Sequence, residues 1–356
     1  MNLESVINYG LWPLSFLYSA ATRARLELYQ KGFFKAQDLG APVVSIGNIT
    51  VGGTGKTPLT VWTANALVQT GNKVCVLTRG YGRTNSSERV IVSDGKEILA
   101  NAETGGDEPL FLAETLRGKA AIISDAKRAS AGYWAKEKLG CSAFVLDDGF
   151  QHWQVKRNFD IVCIDATNPF GNGKLLPQGP LREPLSSLKR ADCVIITKTD
   201  LAQETETIRA EVERHSEGRL IFLSHFRPTQ ARQIKNNISH DLKEIPQPVV
   251  AFCGIGNPQA FFAQARNAGL TLVHMQIFKD HHIYTQTDIE NIERKAKEKG
   301  ANSSLTTAKD AVKLRAFDSE LPCYALEIEV EIDEEEKLKQ MMLAAIKHHL
   351  LPLRQT

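Results

Sequence analysis

Ser45-Ile46-Gly47-Asn48-Ile49-Thr50-Val51-Gly52-Gly53-Thr54-Gly55-Lys56-Thr57-Pro58 is the stretch whose reading decides the fold. Ala41-Pro42-Val43-Val44 precedes it as a short apolar run with β-branched residues, and residues 59–68 follow as a helical run. Strand, glycine-rich turn and helix in that order predict a phosphate-binding loop. Glycines let the backbone turn tightly, so that the N–H groups of Gly52, Gly53, Thr54 and Gly55 can face one anion. A helix starting near Lys56 adds its positive dipole end. Lys56 is then expected on the β- and γ-phosphates and the Thr57 hydroxyl on Mg²⁺. The strict pattern wants glycine where Thr50 stands, but Gly52-Gly53-Thr54-Gly55-Lys56-Thr57 is intact.

Moving outward, 72–78 reads as a second strand and ends in Arg79-Gly80-Tyr81-Gly82-Arg83. Ligands of open α/β sheets lie beyond the carboxyl ends of strands, and two arginines with two glycines there suit an anion. Residues 141–147 form an apolar strand running into Asp147-Asp148-Gly149-Phe150-Gln151-His152. A carboxylate in that position can hold Mg²⁺, and a dication relieves the repulsion of paired aspartates. Thr57 with Asp147 or Asp148 therefore completes a nucleotide–Mg²⁺ signature. A long Gly/Pro loop, 169–184, carries Arg182, the residue in it best suited to a binding role. Asp107 and Glu108, ahead of the helical run 110–116, suit a helix N-terminus.

The strand 193–197 ends in Thr197-Lys198-Thr199-Asp200, which resembles the guanine-reading N-K-x-D turn with threonine for asparagine. It keeps a P-loop GTPase or metallochaperone-type switch open as the alternative. A strand over 218–226 is expected to break at Arg227-Pro228, where a second α/β unit begins. In that unit the G-x-G of 254–256 is a weak signal. The adjacent His281 and His282 would point in different directions, which argues against a two-histidine metal site.

At 356 residues the chain suggests two domains, and its 42% apolar content is ample for their cores. The expected fold is α/β: a P-loop NTPase-like sheet domain with helices on both faces over 1–225, and a smaller second α/β domain over 226–332. A two-stranded hinge joins them, and a helix over 333–356 returns to the first. A net charge of +2 gives no global field to attract nucleic acid. Six cysteines stand singly with no C-x-x-C pair, as expected of reduced thiols in a cytosolic compartment. Residues 11–35 join an apolar aromatic run to Arg23, Arg25, Lys31 and Lys35. The run is too short for a bilayer span, which needs ~20 apolar residues, and its charges follow the run where a secretory signal has them first. An amphipathic basic helix remains, either interfacial on anionic lipid or packed on the domain.

The segments G-N-I-T-V-G-G-T-G-K-T-P, T-R-G-Y-G-R, G-D-E-P, D-D-G-F-Q-H, G-P-L-R-E-P and F-x-D-H-H-x-Y-T occur in this order. Together they resemble the tetraacyldisaccharide 4′-kinase family, the lipid A 4′-kinases of Gram-negative bacteria. Gln178 and Ala308 depart from the family pattern. The resemblance implies transfer of the γ-phosphoryl group of ATP, with Mg²⁺, to the 4′-hydroxyl of an acylated disaccharide 1-phosphate, giving lipid IVA. It implies that Asp107 accepts the hydroxyl proton. His281 would pair with Asp107 from the second domain, on domain closure. Arg79, Arg83, Arg128 and Arg182 would serve the sugar and its 1-phosphate. It also implies a peripheral enzyme on the cytoplasmic face of the inner membrane, seated through the N-terminal helix. No oligomer is indicated.

Overall fold

A computed structural model describes residues 3–81 and 83–350. Gly82 of the arginine–glycine turn and residues 351–356 of the expected closing helix lie outside the described residues. The chain opens with helix α1 (Leu3–Gln30), strand β1 (Val43–Asn48), helix α2 (Lys56–Gln69) and strand β2 (Val74–Thr78). Next come β3 (Val90–Ser93), the short helix α3 (Ala102–Gly105), α4 (Asp107–Thr115) and β4 (Ala120–Ser124). Then follow α5 (Arg128–Leu139), β5 (Ala143–Asp147), β6 (Phe159–Asp165), β7 (Cys193–Thr197), α6 (Thr205–Ser216) and β8 (Leu220–Gln233). The last part contains β9 (Ser239–His240), β10 (Val249–Cys253), α7 (Pro258–Asn267), β11 (Leu272–Ile277) and α8 (Gln286–Lys299). It closes with β12 (Ser303–Thr307), α9 (Ala308–Ala311), β13 (Cys323–Ile332) and α10 (Glu335–Leu350).

Two compact units result. The first comprises Met1–Arg79, Lys127–Ser224 and Ile332–Thr356; the second comprises Gly80–Ala126 and His225–Glu331. Residues 80–126, expected in the first domain, thus belong to the second. The reason is non-local: β3 and β4 pair with each other, and α4 packs on α9. Ion pairs tie α4 there as well, Glu108 to Lys309 at 3.0 Å and Glu114 to Arg315 at 2.8 Å. β8 also runs through Pro228 instead of stopping there. Proline keeps a φ compatible with extended chain and lacks only the N–H donor.

In the first unit the strand order is β8-β7-β6-β1-β5-β2, and every neighbouring pair is parallel. β1 is buried along its whole length, as a central parallel strand must be. α2 presents Leu59, Ala64, Ala66 and Leu67 to the core. Ile49, at the start of the glycine-rich loop, shares a core with Phe150, Val162, Ile164, Val194 and Ile196. Burial of Phe150 fixes the chain just after the paired aspartates, and a side chain of its kind contributes ~1.5–3 kcal/mol. α10 returns to this unit, with Trp62 Nε1 donating to Glu335 at 2.8 Å.

In the second unit β10 is flanked in parallel by β11 and β12, and β12 by β13, with β8 next in order. Alternate residues of β10 feed opposite faces. Val249, Ala251 and Cys253 pack with Phe261 and Phe262 of α7. Val250 and Phe252 pack with Ile289 and Ile292 of α8.

Candidate functional site

The first unit builds an anion cradle at the carboxyl end of β1. Gly52 and Gly55 adopt φ of +103° and +80°, a region that side chains disfavour, so the turn requires glycine at both. Gly55 is the N-cap of α2 and has no side chain to bond the N–H groups of the first turn. Lys56 opens the helix, with Thr57 beside it. The Gly/Pro loop runs along the cradle: Val51 N donates to Pro180 O at 2.8 Å and Arg182 N to Ile49 O at 2.7 Å.

Asp148 stands between two cations. Its carboxylate lies 3.5 Å from Lys56 Nζ and accepts both 2.9 and 2.8 Å hydrogen bonds from Arg182 Nη1. Burial opposes its ionisation, but Lys56, Arg182 and Arg128 outweigh that and hold its carboxyl down at about 2. Asp147, the last residue of β5, is buried and accepts from Thr60 Oγ1 at 3.3 Å and Thr78 Oγ1 at 3.1 Å. Thr60 lies one helical turn beyond Thr57, so Asp147 is tied to the face of α2 on which Thr57 begins. The donor set here is hydroxyl and carboxylate oxygen, which suits a hard dication sharing its coordination with phosphates and water.

The four arginines separate in their duties. Arg182 is joined to Asp148. Arg128 Nη1 donates to the Asp148 carbonyl at 3.2 Å. Arg79 follows β2 and is exposed. Burial first, then Arg128, Arg157, Arg25 and Arg79, pushes the His152 imidazole down to about 3, which marks a strongly positive region around it. Arg83 belongs to the second unit and is pinned: its guanidinium donates to Ser124 O and Ser86 O, both at 2.8 Å. These bonds brace Arg83 against β4 and the turn at Ser86.

The second unit brings Asp107 and His281 together. Asp107 starts α4 after Gly106, whose φ is +93°. His281 Nδ1 lies 2.9 Å from Asp107 Oδ2, and Glu108 N donates to Asp107 Oδ1 at 3.0 Å. Both residues sit in one compact unit, so their pairing does not await the approach of two domains, contrary to expectation. His282 is directed elsewhere: it stacks on Phe278 with 4.6 Å between centroids and meets Asp288 at 3.1 Å. Lys309 and Lys313, which the sequence did not single out, complete the cluster. Lys313 Nζ is 3.8 Å from Asp107 and 2.8 Å from Asp310. These residues follow β11 and β12, so the second site also lies at the carboxyl ends of parallel strands. Burial raises the Asp107 pKa, but His281, Lys309 and Lys313 overcome it and bring the carboxyl to about 2. The hydrogen bond to Asp107 raises the His281 pKa above its ordinary value against the opposing effect of burial.

α1 has an anchored side and an open side. Ser15 Oγ donates to Leu175 O at 3.1 Å and accepts from Gln178 N at 3.1 Å. Tyr29 meets the Trp153 ring at 6.0 Å, and Arg25 lies over the same ring at 5.5 Å. Trp12, Leu14, Phe16 and Leu17 are exposed, as are Phe33 and Phe34 beyond the helix. Among the described residues no helix is long and apolar enough to cross a membrane.

Residues 7–347 match the family of tetraacyldisaccharide-1-P 4′-kinases. The chain is 40% identical over 315 residues to a tetraacyldisaccharide 4′-kinase of Desulfotalea psychrophila, covering 88% of this chain and 90% of that one. It is 37% identical over 338 residues to the enzyme of the same name from Geobacter metallireducens, covering 95% and 98%. Among solved structures, LpxK from Aquifex aeolicus in complex with ATP is similar, with a TM-score of 0.76 at 30% identity over 96% of this chain and 99% of that one. A match of this extent to a kinase family sets aside the GTPase or metallochaperone expectation.

Proposed function

The chain belongs to the tetraacyldisaccharide-1-P 4′-kinase family, and on that premise we propose that it transfers the γ-phosphoryl group of ATP to the 4′-hydroxyl of an acylated disaccharide 1-phosphate. The observation that carries the reading is the uncapped start of α2, with Lys56 beside an Asp148 carboxylate that Arg182 also grips. Gly52, Gly53, Thr54 and Gly55 receive the phosphates through backbone N–H groups. Lys56 neutralises charge as it develops on the γ-phosphoryl. Thr57 and Asp147 or Asp148 would hold Mg²⁺, which supplies charge neutralisation on the β- and γ-oxygens when bound.

The acceptor's proton goes to the Asp107–His281 pair, whose carboxylate and imidazole Nδ1 lie 2.9 Å apart. His281 first, then Lys309 and Lys313, hold Asp107 in its carboxylate form. Little covalent work is asked of the protein; positioning and charge stabilisation carry the reaction. Arg79, Arg128 and Arg182 serve the anionic acceptor. The open apolar side of α1, with Arg23 and Lys31 near it, seats the enzyme on the anionic cytoplasmic face of the inner membrane.

The test is transfer of labelled γ-phosphate from ATP to a tetraacyl disaccharide 1-phosphate in mixed micelles. Wild type should label the lipid. Lys56→Ala should lose labelling together with nucleotide affinity. Asp107→Asn should keep ATP affinity and lose ~10²–10⁴-fold in turnover, the usual worth of a general base. Unlabelled lipid with intact nucleotide binding would reject the reading.

A further inference from the structure

The turn Thr197-Lys198-Thr199-Asp200 is absorbed by none of these roles, yet it holds a buried cation in a strained backbone. Lys198 has φ +59° and ψ +36°, the left-handed region that non-glycine residues disfavour. Its side chain is buried and pairs with Asp165, the last residue of β6, which is also buried. Two unfavourable features at one residue indicate a fixed task. Lys198 Nζ also donates to Gly53 O at 2.7 Å. The Thr197 hydroxyl lies 3.0 Å from Thr54 O and 3.2 Å from Ile164 O, so its single proton is shared between them. Asn48 Nδ2 donates to Thr54 Oγ1 at 2.9 Å from the β1 side.

Resting on the phosphate-loop reading above, we propose that Thr197 and Lys198 are positioning residues that brace the loop by its carbonyls, and that this turn does not read the nucleotide base. In a trans peptide the C=O of one residue and the N–H of the next point oppositely. Holding Thr54 O towards β7 therefore turns the Gly55 N–H away from it. Holding Gly53 O fixes the preceding carbonyl of the same loop. The loop keeps its cradle shape before any phosphate arrives, and binding does not have to order it. Thr197, standing where a guanine reader has asparagine, has committed its one proton to backbone carbonyls.

Calorimetric titration with ADP and GDP tests this in the full chain, using wild type, Thr197→Val, Thr197→Ser, Lys198→Met and Asp200→Ala. Thr197→Val keeps the side-chain shape, so it stays informative if Lys198→Met fails to fold. Losing a brace should weaken ADP and GDP alike by about tenfold, the equivalent of ~1.4 kcal/mol. Thr197→Ser should restore wild-type binding. KM for ATP should rise about tenfold in Thr197→Val while KM for the lipid acceptor stays within about twofold, a split that general loss of stability does not give. Asp200→Ala should leave the ratio of ADP to GDP affinity unchanged. Wild type that binds no nucleotide overturns the phosphate-loop reading and this proposal with it. Wild-type binding matched by Thr197→Val overturns the brace alone, and a base-selective loss in Asp200→Ala restores base reading.

Discussion

Asp107 and His281 set the pH behaviour, because each shifts the other. The pKa of His281 is raised, so its share of stability is complete below the ordinary imidazole value of ~6.5 and is lost as pH rises through the higher folded value. Asp107 is depressed to about 2, so its share is complete above the ordinary carboxylate value of ~3.9 and is lost as pH falls towards about 2. His281→Gln should therefore lower the melting temperature most between pH ~4 and pH ~6.5, and least in alkali. In turnover, the proton-accepting form of the pair fills as pH rises above ~6.5. Asp107→Asn should move that limb to lower pH along with lowering its plateau; an unmoved limb would separate the pair from the chemistry. Motif position alone favoured His281 over His282 in the sequence, since two adjacent imidazoles are chemically equivalent on paper. What separates them is the turn at His281, with φ +59°, and the Phe278 ring that takes His282. Lys309 and Lys313 were illegible for another reason: nothing local links them to Asp107, about two hundred residues earlier in the chain.

Elements were easiest to read where one physical signal dominated. β1 and β6 announce themselves as apolar runs with β-branched residues, β5 as an apolar run ending in Asp147, and the glycine-rich turn fixes where α2 begins. The sequence left α1 between two roles, and the helix has a side for each. Ser15, Arg25 and Tyr29 hold it to the first unit, while Trp12, Leu14, Phe16 and Leu17 are exposed. Flotation with anionic vesicles should fall in Arg23→Glu by about fivefold, the worth of ~1 kcal/mol per basic residue at such a surface. Trp12→Ser with Phe16→Ser should weaken flotation also on neutral vesicles, where charge plays no part. Equal flotation of all variants would reject α1 as the seat. Arg25 is the wrong residue for that test, since its guanidinium also covers Trp153. Pro228 reads in the sequence as a strand end, yet β8 continues through it, because proline forbids a donor and not an extended backbone.

At the scale of the whole chain, the family, the α/β class and the phosphate loop were legible because motif order survives in one dimension. The partition was not, because membership of 80–126 in the second unit depends on contacts with residues after 225. A fragment of 225–331 alone should therefore give a poorly protected exchange pattern by hydrogen–deuterium labelling. Co-expression with 80–126 should raise protection in β10 and β12, and identical patterns with and without it would refute the dependence. This interleaving also sets a timetable for biosynthesis. At ~5–20 residues per second, β3, α4 and β4 leave the ribosome several seconds before the strands that complete their unit are made. Through that interval α4 has β3 and β4 to pack on but lacks α9 and the ion-pair partners Lys309 and Arg315. The nascent chain is at its most aggregation-prone then, so slow codons between residues 126 and 225 would lengthen the exposure, and holdase chaperones would be recruited there first.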